Sequence, residues 1–417
     1  QYTQYQIYPM NHKNELKLFT HNFFRPGWQL LSRDYQQNPV TFSLEKSMTW
    51  IKEHSSSNLV LKEVHELLTT GWERNPINKF HVHGKTEQTT KLDAVRWLSE
   101  VMTRSIVASS YAVSAIFSPV FMEIKARFKD ILAEKVFYAD GCTPEVLSAK
   151  VRSVGAFSHV IEDDLAKQDR QTSHDIIKVE MMVYELLGLD ENVLSLYKEC
   201  HKQWRWVGHG SNGVWDAMRL SGQVTTAIGN AITNLIVHNR FYAKNNARIK
   251  LLGFLGDDII MLSDTNLDVR SHGTITKECY NIVSKITQKP RVGNFLSMLV
   301  YCAGGVSGLC PFFKRLRHRY SVCNYTYAPD CMQEKIDMRT LSYCFMLGHS
   351  DQSKKIADTI NASVTLPNWY HTSTALLVNS EYTGETEFET RRHISNLLYM
   401  MDRREVHNKP THVWSSV

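Results

Sequence analysis

Residues 251–262, LLGFLGDDIIML, set two adjacent aspartates, Asp257 and Asp258, behind a glycine in a run that is otherwise apolar. Burying a pair of like charges is costly unless something compensates it. Two short apolar runs flanking Gly-Asp-Asp form the pattern of a β-hairpin, with the flanks in a core and the carboxylates at the turn. Such a turn is either a polar hairpin tip or the holder of a divalent cation. Gly-Asp-Asp is common in turns, so the choice rests on the rest of the chain.

A chain of 417 residues exceeds one small core and reads as one large multi-lobed unit or two to three subdomains. Its 43% hydrophobic and 22% charged residues exclude a disordered chain. The net charge of +6 favours an anionic partner only weakly. Eight cysteines in no framework spacing read as free thiols of a reducing compartment. No apolar run approaches the ~18 residues of a membrane-spanning helix. The first residues lack both a signal peptide's apolar centre and an initiator methionine, so the chain is expected to be a piece of something longer.

Periodicity predicts helices over SLEKSMTWIKEH (43–54), LVLKEVHELLTTGW (59–72) and, after a Ser-Pro start, 118–135. FSHVIEDDLA (157–166) reads as a strand running into acidic residues. Two helices follow, roughly 171–187 and 191–205, separated by the GLDEN turn. GQVTTAIGNAITNLIVHNRF (222–241) is helical in period. A helix is expected from 270 to about 288, then strands over NFLSMLVYCAGGVSGLC with a turn at Gly304–Gly305. From 311 onward the pattern is helical, with breaks near Pro329, Gly348, Pro367 and Gly384.

The carboxylates upstream of the hairpin carry the chemistry further. Asp164 falls at the carboxyl end of the predicted strand, and Asp169 follows five residues later. Nucleotidyl transfer needs two Mg²⁺ ions about 3.5–4 Å apart to clamp the attacking and leaving oxygens. Mg²⁺ takes oxygen ligands, one or two of them carboxylates. A strand-end aspartate beside an Asp-Asp turn supplies such ligands. In RLSGQVTTAIGN, Ser221-Gly222 makes a flexible loop, and Thr226 and Asn230 sit at i and i+4 on one helix face. A hydroxyl and a carboxamide there can hydrogen-bond a ribose 2′-hydroxyl. Taken singly, each segment also fits a surface turn or a polar stripe.

The order Asp-x4-Asp, Ser-Gly-x3-Thr-x3-Asn, Gly-Asp-Asp is that of motifs A, B and C of viral RNA-dependent RNA polymerases. DLAKQDRQT and SGQVTTAIGNAITN resemble those of the alphavirus-like positive-strand RNA viruses, tobamoviruses among them. GKTEQTTKLD with TRSIVASSYAVSAIFSPVF is similar to the segment carrying motif F, and QKPRVGNFLSMLVY to motifs D and E. The resemblance covers roughly residues 79–330.

The resemblance implies an α+β right-hand polymerase, with an antiparallel palm sheet backed by helices. It divides the chain into an N-terminal extension with fingers (1–155, motif F at about 79–106), palm with interleaved fingers helices (156–310) and helical thumb (311–417). Asp164, Asp257 and Asp258 would be metal ligands for two Mg²⁺ ions, with Mn²⁺ as a substitute. Asp169, Thr226 and Asn230 would select ribose, and Ser221 and Gly222 would belong to a mobile loop seating template and nucleotide. Lys289 matches the motif D lysine, a general acid toward the departing pyrophosphate. Lys85, Lys91 and Arg104 would be the candidate triphosphate ligands of motif F. Thr89 stands where relatives often carry another lysine, Arg104 where glutamine is usual, and Arg170-Gln171-Thr172 in place of Lys/Arg-Ser-Gln.

The implied partners are an RNA template and product, nucleoside triphosphates, and methyltransferase and helicase domains of the same replicase polyprotein. The implied location is the host cytoplasm, in membrane-associated replication complexes. Two rivals stand beside this reading: a reverse transcriptase, which shares the palm but excludes the 2′-hydroxyl with a bulky residue where Asp169 and Asn230 would welcome it, and a catalytically inactive palm retained as an RNA-binding scaffold. Cys302, Cys310, Cys323, Cys331 and His318 match no C-x2-C zinc spacing and read as buried thiols. The basic run 314–319 reads either as an RNA contact or as a solvated helix face.

Overall fold

The computed structural model describes residues 3–54, 58–70, 77–84, 105–208, 211–216, 219–321 and 372–402. Four helices come first: α1 (His12–Phe23), α2 (Trp28–Gln37), α3 (Leu44–His54) and α4 (Asn58–Thr70). After β1 (Lys79–Gly84) and β2 (Ser105–Ser109) follow α5 (Tyr111–Ile131), β3 (Val136–Tyr138), α6 (Pro144–Ser153) and β4 (His159–Asp163). The next stretch holds β5 (Leu165–Ala166), α7 (Gln168–Gln171), α8 (His174–Leu186), α9 (Glu191–Lys202), β6 (Gln203–Gly208) and β7 (Ser211–Asp216). Then come α10 (Thr226–Asn245), β8 (Ile249–Leu255), β9 (Asp258–Ser263), α11 (Arg270–Tyr280), β10 (Val283–Ser284) and β11 (Thr287–Pro290). The described chain closes with β12 (Val292–Phe295), β13 (Met298–Ala303), β14 (Val306–Pro311), α12 (Phe313–Ser321), α13 (Thr372–Thr383) and α14 (Glu387–Asp402).

The central sheet has the order β11-β4-β9-β8-β3, antiparallel except for the β3–β8 pair. Its residues alternate between two cores. Ile161, Ile259 and Met261 face α5, α8 and α10, while Val160, Ile260 and Leu262 face the β12-β13-β14 sheet, α12 and α13. Covering on both faces explains why the hairpin flanks are continuously apolar instead of alternating. Each such side chain contributes about 1.5–3 kcal/mol on full burial. A second sheet, β2-β1-β6-β7, is antiparallel but for β1–β6, and β5 pairs with β10. The fold is mixed α and β with antiparallel pairing predominant. Among the described residues, no helix is long and apolar enough to cross a membrane.

Two elements depart from the sequence expectation. Helix α5 starts at Tyr111, capped by the Ser110 hydroxyl, and carries Pro119 inside it. Ser-Pro reads as a start because proline suits a first turn, and an internal proline costs about 3 kcal/mol. Ten buried side chains along α5 outweigh that cost. Helix α11 ends at Tyr280, eight residues early, because Asn281 turns left-handed (φ 61°) and its N–H caps the Lys277 carbonyl. Lys289 therefore lies on a strand. The Gly304–Gly305 turn falls where expected, between β13 and β14. The breaks near Pro329, Gly348 and Pro367 lie outside the described residues, as do Cys323 and Cys331. Cys302 and Cys310 are buried free thiols.

Candidate active site

The LLGFLGDDIIML segment is the β8–β9 hairpin, closed by the Leu255–Asp258 pair around Gly256 and Asp257. Gly256 has φ +58° at the first central position, a conformation glycine adopts without penalty. Buried strands on either side leave Asp257 and Asp258 at the exposed end of the sheet. Strand β4 runs antiparallel to β9 and pairs Asp163 with Ile259. One residue on, the same register brings Asp164 level with Asp258. Three carboxylates thus converge on one sheet edge, from segments more than ninety residues apart in sequence.

Burial first, and repulsion among the carboxylates second, act on Asp258. Its carboxyl is pushed up to about 6 by partial withdrawal from water and by Asp257; Asp164 and Glu162 add to the rise, and Arg315 opposes it. An all-oxygen, anionic donor set of this kind fits a hard divalent cation such as Mg²⁺. Asp164 also pairs with Lys285 at 2.7 Å, both side chains well exposed.

Helix α10 holds the surrounding parts through polar side chains on one face, four residues apart. Thr226 Oγ1 lies 2.6 Å from the Leu220 carbonyl and 2.7 Å from that of Gln223, tying down the loop before the helix. Asn230 Nδ2 donates to Asp169 Oδ1 at 2.8 Å, and Gln168 Nε2 donates to the Asn230 carbonyl at 2.9 Å. Asn234 Nδ2 donates to the Gly256 carbonyl at 2.9 Å, fastening the aspartate turn itself. One further turn along, His238 Nε2 lies 2.9 Å from Asp163 Oδ2. Asp169 and Asn230 are therefore brought together. Thr226 shares their helix face, but its hydroxyl proton serves the loop.

Ser221 and Gly222 are pinned to β2. Ser221 Oγ accepts the Val107 N–H at 3.0 Å, and the Gly222 N–H donates to the Val107 carbonyl at 2.8 Å. Behind this loop Arg219 and Glu180 form a fully buried ion pair, with Tyr197 and Thr225 also at the Arg219 guanidinium. The Arg219 N–H donates to the Asp169 carbonyl at 2.9 Å, so the pair braces both loops. Lys85, Lys91 and Arg104 lie outside the described residues. The flanking strands β1 and β2 pair antiparallel, with Gly84 opposite Ser105.

Lys289 sits on β11 opposite Val160, its Nζ 3.9 Å from Glu162 Oε1 and 3.9 Å from the centre of the Tyr382 ring. The lysine at the Asp164 carboxylate is Lys285, which the sequence reading passed over. Asn234 and Arg315 were passed over too. The signal for Asn234 was its four-residue spacing from Asn230 along the helix; Arg315 was one charge within a basic run.

Residues 10–297 match the family model described as RNA dependent RNA polymerase. The chain belongs to the RNA-dependent RNA polymerase family. It is 27% identical over 190 residues to the replicase large subunit of Sunn-hemp mosaic virus, covering 45% of this chain and 12% of that protein. It is 28% identical over 149 residues to the RNA-directed RNA polymerase 2a of alfalfa mosaic virus, covering 34% of this chain and 18% of that protein. With polyprotein P1234 of Barmah forest virus the identity is 21% over 233 residues, covering 55% and 10%. The chain thus corresponds to a small part of each of these relatives. In this polymerase family member, the matched region takes in β4, α10 and the β8–β9 hairpin, the elements that carry the clustered aspartates.

Proposed function

We propose that this chain is the catalytic part of an RNA-directed RNA polymerase, extending an RNA 3′-hydroxyl with nucleoside triphosphates on an RNA template. The observation that carries the reading is the β4–β9 register, which sets Asp164 beside the Asp257–Asp258 turn within a chain of this family. Asp164, Asp257 and Asp258 hold two Mg²⁺ ions, with Mn²⁺ as a substitute. Bound there, the ions would supply Lewis-acid activation of a hydroxyl and neutralisation of phosphate charge. The hydrogen-bonded Asp169–Asn230 pair receives the ribose 2′-hydroxyl, which donates and accepts. Lys85, Lys91 and Arg104 bind the triphosphate, and Lys289 is the proton donor to pyrophosphate. Lys285 is a second candidate for that proton, since it already stands at Asp164.

In this reading the chain forms a right hand, with fingers and an N-terminal extension over 1–155, palm over 156–310 and thumb over 311–417. Ser221 and Gly222 seat template and nucleotide. Base pairing delegates sequence choice to the template, so the protein grips RNA by backbone charge and shape. Its partners are the methyltransferase and helicase domains of a replicase polyprotein, in membrane-associated complexes of the host cytoplasm. The names of the relatives, replicase and polyprotein, support that context.

The test is incorporation of labelled ribonucleotides on a primed RNA template with Mg²⁺, comparing Asp257→Ala and Asp258→Ala with the unaltered chain. Template-dependent product that either substitution lowers by orders of magnitude supports the assignment. Activity surviving both refutes it. Equal use of deoxyribonucleotides would favour a reverse transcriptase, and RNA binding without synthesis by the unaltered chain a scaffold.

A further inference from the structure

Asp163 directly precedes Asp164, and adjacent strand residues point to opposite faces. Its carboxylate therefore turns inward, away from the aspartate cluster, toward His238 on α10 and His272 on α11. All three residues are buried, and one donor atom from each lies within 4.8 Å of the others. His238 Nε2 is 2.9 Å and His272 Nε2 3.4 Å from Asp163 Oδ2. Ser284 Oγ donates to the same oxygen at 2.6 Å.

The count of protons makes this group unusual. His238 Nδ1 is 2.8 Å from the Asn234 carbonyl, which only accepts, so Nδ1 carries a proton. A neutral ring then turns its Nε2 lone pair toward a carboxylate oxygen. Two lone pairs at hydrogen-bond distance need a proton or a cation between them. Among the described residues His272, 1% exposed, has no partner for Nδ1, its Nε2 reaches only the long 3.4 Å contact to Asp163 Oδ2, and Asp163 Oδ1 has no partner. The two imidazoles pack 4.7 Å apart at 31°, an arrangement in which charging both would set like charges face to face without water. One divalent cation between His238 Nε2, His272 Nε2 and the Asp163 carboxylate takes up the facing lone pairs in place of a proton. The Nδ1–H to carbonyl bond of His238 is also the contact that orients a ligating imidazole.

We propose that Asp163, His238 and His272 form a structural transition-metal site, separate from the Asp164–Asp257–Asp258 cluster. Two imidazole nitrogens and one carboxylate oxygen are a borderline donor set that suits zinc and not magnesium. Ser284 Oγ or a water completes the coordination. The ion ties the end of β4 to α10 and α11, fixing the strand one residue before Asp164. It is taken up as the chain folds, because the site is closed to solvent.

The test reads metal content and melting temperature of the tag-free chain, so it stands or fails independently of polymerase activity. After gel filtration, elemental analysis should find about one zinc per chain, lost in His272→Ala and His238→Ala. The exposed-site control His81→Ala and the Asp257→Ala and Asp258→Ala variants should keep it. 1,10-Phenanthroline should lower the melting temperature of the unaltered chain, with zinc but not Mg²⁺ restoring it. Cobalt substitution should give visible absorption of a low-coordinate nitrogen–oxygen site. If the histidine variants do not fold, the chelation and cobalt measurements on the unaltered chain decide. A chain that binds zinc and cobalt below about 0.1 equivalent, with a melting temperature indifferent to chelator, overturns the proposal. So does a folded His272→Ala variant that keeps its zinc.

Discussion

Replacing Asn234 by alanine isolates what the aspartate turn requires beyond its strands. Asn234 is fully buried on α10 and hydrogen-bonds the turn through the 2.9 Å bond to the Gly256 carbonyl. Losing a buried hydrogen bond, with the partner left in place, costs about 1–3 kcal/mol. That is the expected stability loss of Asn234→Ala in urea unfolding. The catalytic loss should be of similar size, because the bond fixes the residue before Asp257. Displacing a reacting group by about 1 Å costs roughly 100-fold in rate. Asn234→Ala should therefore lower kcat by about 10- to 100-fold, leaving KM for the nucleotide almost unchanged. Asn234→Asp keeps the shape but opposes an anion to the carbonyl, and should be worse on both counts. The assay is single-turnover primer extension by rapid quench, beside the unfolding curves. A variant that loses the stability and keeps the full rate would show that the hairpin holds its own geometry, refuting the role given to α10.

Removing either half of the Asp169–Asn230 pair, as Asp169→Ala or Asn230→Ala, should reduce the preference for ribo- over deoxyribonucleotides by about 10- to 100-fold, measured as the ratio of kcat/KM values. Glu180→Gln should cost about 3–5 kcal/mol in chemical unfolding, because it strands the buried Arg219 guanidinium; Glu180→Leu combined with Arg219→Met should cost less than the sum of the single changes. Burial, with Arg219 nearby, lowers His201 to about 4 in the fold. The unfolded chain takes up that proton near 6.5 and the folded chain does not, so stability falls as pH drops from about 6.5 toward 4, by about 2 kcal/mol at pH 5. His201→Gln should flatten that region of the stability–pH curve, followed by unfolding at fixed temperature, and an unchanged slope would count against it.

Much of the local structure was written in period and punctuation. The hairpin was legible because a two-residue turn with glycine at its first position leaves few alternatives, and α8 and α9 because Gly188 and the Asp190 cap separate a pair of amphipathic runs. What escaped depends on contacts made far along the chain. Pro119 reads as a helix start until the buried face of α5, continuing on both sides of it, is known. Lys289, matched through the resemblance to motif D, lies on β11 beside Glu162 and the Tyr382 ring, contacts that its place in the sequence does not show. Asp163 and Asp164 are indistinguishable as letters. Only the alternation of β4 separates a solvent-facing carboxylate from a buried one.

Helix α10 explains why so many polar side chains persist in a core. Asn230, Asn234 and His238 are nearly or fully buried on a helix that also buries Ile228, Ile232, Leu235, Ile236 and Val237. An aliphatic substitute at any of them would spare desolvation and fill the same space. Each instead directs its polarity at a backbone or carboxylate of a different segment: Asp169, the Gly256 carbonyl, Asp163. Apolar packing is non-directional and tolerates sliding, whereas a hydrogen bond fixes distance and angle to a few tenths of an ångström. A site assembled from the end of one strand, a hairpin turn and a loop needs that directional constraint, since none of the three determines the position of the others. One helix reading out every fourth residue supplies it. A single Asn-to-Leu change along this row should therefore loosen one segment and leave the others in register.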